Sequence, residues 1–165
     1  MCESVKKNRF FKAVDKIERR DLSKPSVFLA GSIDGGEAHD WQERVTTKLK
    51  FSHCNIFNPR REEWDESWEQ SLNSANFYEQ VNWEIDALEE ADVIALYFAD
   101  GSKSPISLLE FGMFVKSNKL VVYCDDFYRK GNVDVVCQRF GIPVFTDEES
   151  WISCIKRKLK LCVKK

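Results

Sequence analysis

Apolar and polar positions follow two rhythms along the chain. SVFLAG, residues 26–31, is a short unbroken apolar run introduced by Pro25 and closed by Gly31, the pattern predicted of a strand buried on both faces. CNIF (54–57), DVIALYF (92–98), KLVVYC (119–124) and PVF (143–145) repeat it. Helical rhythm fills the intervals. Residues 39–51 carry Trp41, Val45 and Leu49 four apart, and 77–91, 104–117, 133–140 and 148–163 also read as helices, the last with a lysine-rich outer face. Residues 3–20 place Val5, Phe10, Val14 and Ile17 at helical intervals, which predicts an N-terminal helix, while 60–76 are polar and irregular. Apolar strands separated by helices predict a parallel sheet covered on both faces. The expected architecture is a three-layer α/β domain of about five strands spanning residues 1–165, with no internal repeat or linker.

Composition narrows the function classes. A chain of 165 residues holds one hydrophobic core. Lys and Arg total 25 against 27 Asp and Glu, a net charge of −2, which argues against a protein that binds polymeric nucleic acid. With 43% hydrophobic residues, 12 Phe and 5 Trp, the chain is too apolar for a disordered one. Cys2, Cys54, Cys124, Cys137, Cys154 and Cys162 are scattered without a C-x-x-C pair and read as reduced thiols. No apolar leader and no run of roughly 18 apolar residues is evident, so the expected setting is cytoplasmic, away from membranes. His39 and His53 do not pair with cysteines at zinc spacing, and neither metal nor cofactor is expected.

In open parallel sheets, ligands bind beyond the carboxyl ends of the strands. That rule singles out residues 30–37, 58–76, 99–110 and 125–133. Within them, Glu110 stands in PISLLEFGMFV, where a carboxylate among apolar neighbours is costly unless paired or functional. Gly112 beside it leaves room for a ligand or another backbone. The plainer alternative is a partly exposed Glu favoured by the helix dipole. Glu84 lies three residues after Val81 and four before Leu88, inside the stripe Val81, Ile85, Leu88, where it is either functional or an edge residue. Two such carboxyls at one crevice would have their pKa values pushed apart. In the loop GSIDGG, Gly31 allows close backbone approach and Ser32 offers a hydroxyl. Asp34 would repel a phosphate, and the loop matches neither G-x-G-x-x-G nor a P-loop, so a bland turn stays open. Asn58 closes the second apolar run, and Arg60 and Trp64 beyond it suit a planar heterocycle, unless the arginines only form surface ion pairs.

GSIDGG, VNWEIDALEEADVIALYF, SPISLLEFG and RKGNVDVV, in that order over about residues 25–145, resemble the nucleoside 2-deoxyribosyltransferase-like superfamily, which includes the 2′-deoxynucleoside 5′-monophosphate N-glycosidases. The resemblance implies a flavodoxin-like sheet. It implies Glu110 as nucleophile and Glu84 as helper acid, in a double displacement at C1′ through a glutamyl glycosyl-enzyme captured by a second base or by water. It also implies sugar or phosphate contact at Ser104, and a homo-oligomer in which Asn132 completes a neighbouring site. The chain departs from the superfamily pattern at several places. Phe28 replaces a Tyr, Asp34 stands where the monophosphate hydrolases carry a base, Ser104 stands where transferases place an Asp, and Ile106 and Leu108 replace glycines. The expected partner is a small-molecule nucleoside or nucleotide. Transfer, hydrolysis of a 5′-monophosphate and non-catalytic nucleotide sensing all remain open at this level.

Overall fold

The structure is a computed structural model and describes residues 8–33, 40–61, 65 and 67–163. Six strands form one parallel sheet: β1 (Arg9–Lys12), β2 (Ser26–Gly31), β3 (Asn55–Asn58), β4 (Val93–Phe98), β5 (Leu120–Cys124) and β6 (Val144–Phe145). Their spatial order is β1-β3-β2-β4-β5-β6, every neighbouring pair parallel. Without β1, this is the doubly wound order of flavodoxin-like sheets, in which the chain reverses direction between β2 and β4. Among the described residues four helices connect the strands from β2 to β6, α1 (Trp41–Lys48), α2 (Ala75–Glu90), α3 (Pro105–Phe114) and α4 (Lys130–Phe140), and α5 (Glu148–Leu161) follows β6.

Two buried clusters sit on opposite faces of the sheet. One gathers Phe28, Phe57, Leu96 and Phe98 from the strands with Trp83, Ala87 and Leu88 of α2, Phe111 of α3 and Val133 of α4. The other joins Leu29, Ile56 and Val121 to Trp41 and Val45 of α1 and Trp151 and Ile155 of α5. Both clusters draw on alternate positions of β2: Phe28 and Ala30 point one way, Val27 and Leu29 the other. That explains why the run has no polar alternation. The expected three-layer α/β arrangement is therefore present, with six strands rather than about five.

The extra strand corrects the N-terminal reading. Residues 9–12 are not helical: β1 pairs with β3 in register Arg9 to Asn55 and Phe11 to Phe57, and a 3₁₀ turn covers Ile17–Arg19. Residues 3–7 lie outside the described part. A free edge of β3 supplies backbone partners, and period-two burial places Phe11 inside against Phe57 (ring centroids 5.6 Å apart) while Phe10 stays 55% exposed. Val14 then takes a positive φ of 66°, a β-branched residue that ends any helical path. Cys54, Cys124, Cys137 and Cys154 are buried thiols, as small core hydrophobes should be, and Cys2 lies outside the described residues.

Candidate active site

The switch point lies at the carboxyl ends of β2 and β4, which stay paired to Gly31 and Tyr97 while the chain leaves them for opposite faces of the sheet. Gly31, the last residue of β2, has φ 148°. A Cβ there would collide with the Tyr97 carbonyl and lie 2.9 Å from Trp41 Cζ2, so this glycine is what lets β2, β4 and α1 close together. Ser32 follows, 1% exposed. Its amide donates to the Tyr97 carbonyl (3.1 Å), its own carbonyl accepts from Trp41 Nε1 (2.9 Å), and its hydroxyl accepts from the Ala99 amide (3.0 Å). The hydroxyls of Ser32, Ser102 and Ser104 also bond one another. Ser104 adopts a left-handed conformation just before Pro105 opens α3. This three-serine knot thus ties the end of β2 to the start of the helix that carries Glu110. Ser102 was not singled out from the sequence, because lone serines in a polar loop carry no signal of their own.

Glu110 lies in the second turn of α3, beyond the reach of the dipole at the helix N-terminus. It occupies the flank between the buried side of the helix (Ser107, Phe111) and its exposed side (Ile106, Leu109, Met113). Burial raises its pKa first and the charge of Glu84 second, to about 8. A Cβ at Gly112 would meet no atom within 4 Å, so the space beside it is open and no protein backbone fills it among the described residues.

Glu84 sits inside a buried stripe of α2, but a different one from that expected. The stripe is Gln80, Trp83, Ala87 and Leu88, while Val81 and Ile85 are half-buried. Counting only aliphatic residues missed Trp83 and the buried glutamine. Burial pushes Glu84 up to about 7, against the opposing effect of a hydrogen bond that its Oε1 accepts from Gln80 Nε2 at 2.8 Å. Gln80 Nε2 also donates to the Pro59 carbonyl (3.1 Å), anchoring α2 to the end of β3. The two carboxyls are thus coupled, with both proton affinities lifted toward neutrality, the condition for general acid and base work there.

The remaining expected residues are placed as follows. Asn58 Oδ1 accepts from the Arg60 amide (3.0 Å) and shapes the turn after β3. Arg60 turns toward α1, with Nε 3.6 Å from Asp40 Oδ2 and Nη1 3.5 Å from Gln42 Oε1. Asn132 is exposed on the first turn of α4. Asp34 and Trp64 lie outside the described residues. Among the described residues, no group of three or more His, Cys, Asp or Glu is placed to hold a metal, and no helix is long and apolar enough to cross a membrane.

A parallel sheet of flavodoxin order, with two coupled carboxyls on consecutive crossover helices beside its switch point, defines a small α/β protein equipped for acid–base or nucleophilic chemistry. A family model described as nucleoside 2-deoxyribosyltransferase like matches residues 24–128, more than half of the chain. The chain belongs to that family. No curated protein matches it. The matched range holds Glu84, Ser104 and Glu110 but ends before RKGNVDVV and Asn132.

Proposed function

We propose that the protein cleaves or exchanges the N-glycosidic bond of a small nucleoside, with Glu110 as nucleophile and Glu84 as acid and base. The coupled carboxyl pair beside the switch point, in a chain of this family, carries the reading. In the first step a Glu110 oxygen attacks C1′ of the sugar while the bond from C1′ to the base nitrogen breaks. The electron pair leaves with the base, and Glu84 gives that nitrogen its proton. In the second, a new base or water attacks C1′, the ester bond breaks, Glu110 returns as carboxylate and Glu84 takes the proton back. The cycle needs one proton on the pair, held by Glu84.

In the free site burial raises the proton affinity of both carboxyls. Substrate binding favours the arrangement with the shared proton on Glu84, which requires no net uptake or release. The positive charge that develops on the sugar beside Glu110 favours that arrangement. A nucleoside fits better than its 5′-monophosphate, because Arg60 is turned to Asp40 and Gln42. On this reading Gly31, Ser32, Asn58 and Ser104 are substrate-contacting residues, as are Asp34, Arg60 and Trp64 by their place in the sequence.

The protein works in the cytoplasm, as a homo-oligomer of single-domain subunits. Ile106, Leu109 and Met113 of α3 are 59%, 60% and 51% exposed on a helix with almost no polar residue, a face suited to a second copy. The exposed Asn132 is proposed to complete the site of a neighbouring subunit.

A panel of ribo- and deoxynucleosides and their 5′-monophosphates, incubated with and without an acceptor base and read by chromatography, tests the reading. Base release or exchange is expected, with a fall of at least about 10³-fold in Glu110→Ala. Measurable binding without turnover of any member would leave a nucleotide sensor instead.

A further inference from the structure

Gln80 is 3% exposed, and its Oε1 has no hydrogen-bond partner. A glutamine amide normally can turn over and present its oxygen where the nitrogen stood. Here it cannot without loss. Its Nε2 donates both to the Pro59 carbonyl and to Glu84 Oε1, and a carbonyl can only accept, so turning the amide would set two acceptors face to face. The NH₂ is therefore held toward Glu84. An acid proton on Glu84 Oε1 would then point at a group with no lone pair to receive it.

We infer that Gln80 is a positioning residue for Glu84. Braced by the Pro59 carbonyl, it fixes the orientation of the Glu84 carboxyl and confines its acid proton to Oε2, the oxygen left for the departing base. This rests on the role of Glu84 proposed above, yet it can be tested without turnover. The charged groups around Glu84 fit it. Glu110 faces it from α3, Arg60 of the turn after β3 is directed to Asp40, and the Arg61 guanidinium lies over the Trp68 ring, 5.2 Å from its centroid. On α2 itself, Asp86, Glu89 and Glu90 point outward. Gln80 is thus the hydrogen-bond donor that favours the Glu84 carboxylate, and Glu110 has no counterpart to it in the balance of effects that sets its proton affinity.

The test is carboxyl ¹³C NMR of the full chain labelled at glutamate, with the Glu84 resonance assigned by its loss in Glu84→Gln. Replacing the amide in Gln80→Met should raise the Glu84 midpoint by about one pH unit, since a carboxylate loses a donor worth that much. An unchanged midpoint in folded Gln80→Met would overturn the inference. A measurement on the unaltered protein covers the case in which that variant does not fold. The Gln80 side-chain NH₂ resonances should move with the Glu84 midpoint, and no movement through the titration refutes the positioning role. Absence of turnover on every nucleoside would sink the proposed reaction and leave these titrations as they stand.

Discussion

At the scale of single residues, the proposed site rests on two carboxyls whose burial raises their proton affinity. Glu110 illustrates the sign. Its folded pKa, about 8, lies above the usual value for a glutamate, so the folded state binds the proton more tightly than the unfolded chain. Stability associated with Glu110 is complete at low pH and is lost as pH rises from the ordinary glutamate range through about 8. Glu110→Gln removes that charge penalty. Its melting temperature should match the parent near pH 4 and exceed it near pH 9, by roughly 2–4 °C for each kcal/mol relieved. Calorimetry at both pH values checks this, and an equal difference at the two would contradict it. Glu110 was legible in the sequence because a lone carboxylate in an apolar segment has few bland explanations. Glu84 was legible only in part: its stripe is real, but aromatic Trp83 and amide Gln80, not Val81 and Ile85, build it. Gln80 escaped notice because a glutamine on a helix normally points to solvent, and only the fold brings the Pro59 carbonyl to it.

At the scale of elements, the strands were the most legible part. Buried parallel strands must be apolar on both faces, and SVFLAG and DVIALYF announce themselves without help from neighbours. β1 did not, since RFFK has too few residues to show a period and owes its conformation to the open edge of β3. The start of α3 was equally hidden, because the three-serine knot joins positions some 70 residues apart. α3 itself carries apolar side chains on its outward face as well as its inner one. Covering Ile106, Leu109 and Met113 with another copy would stabilise the assembly by about 1.5 kcal/mol or more for each side chain fully buried. Sedimentation of the parent should give a mass of at least two chains at micromolar concentration. Leu109→Glu should sediment as a monomer with unchanged circular dichroism, and a monomeric parent would contradict the proposal.

At the scale of the whole molecule, the division of labour is simple. The face with α1 and α5 packs Trp41, Tyr97, Tyr123 and Trp151 into one aromatic stack, with Tyr97 and Tyr123 centroids 4.5 Å apart. That face holds the frame. The face with α2 and α3 carries both carboxyls, and the switch point between β2 and β4 lies beside them. A near-neutral net charge suits an enzyme for small, weakly charged molecules, whose affinity comes from shape and hydrogen bonds instead of long-range attraction. In the proposed reaction Glu110 becomes covalently bonded to the sugar. Intact-protein and peptide mass spectrometry after acid quench from a nucleoside that turns over tests it most directly. An added mass equal to the glycosyl group is expected on the peptide containing Glu110 and is expected to be missing in Glu110→Gln. An adduct on another residue, or rapid turnover with no adduct under conditions that trap acid-stable esters, would contradict it.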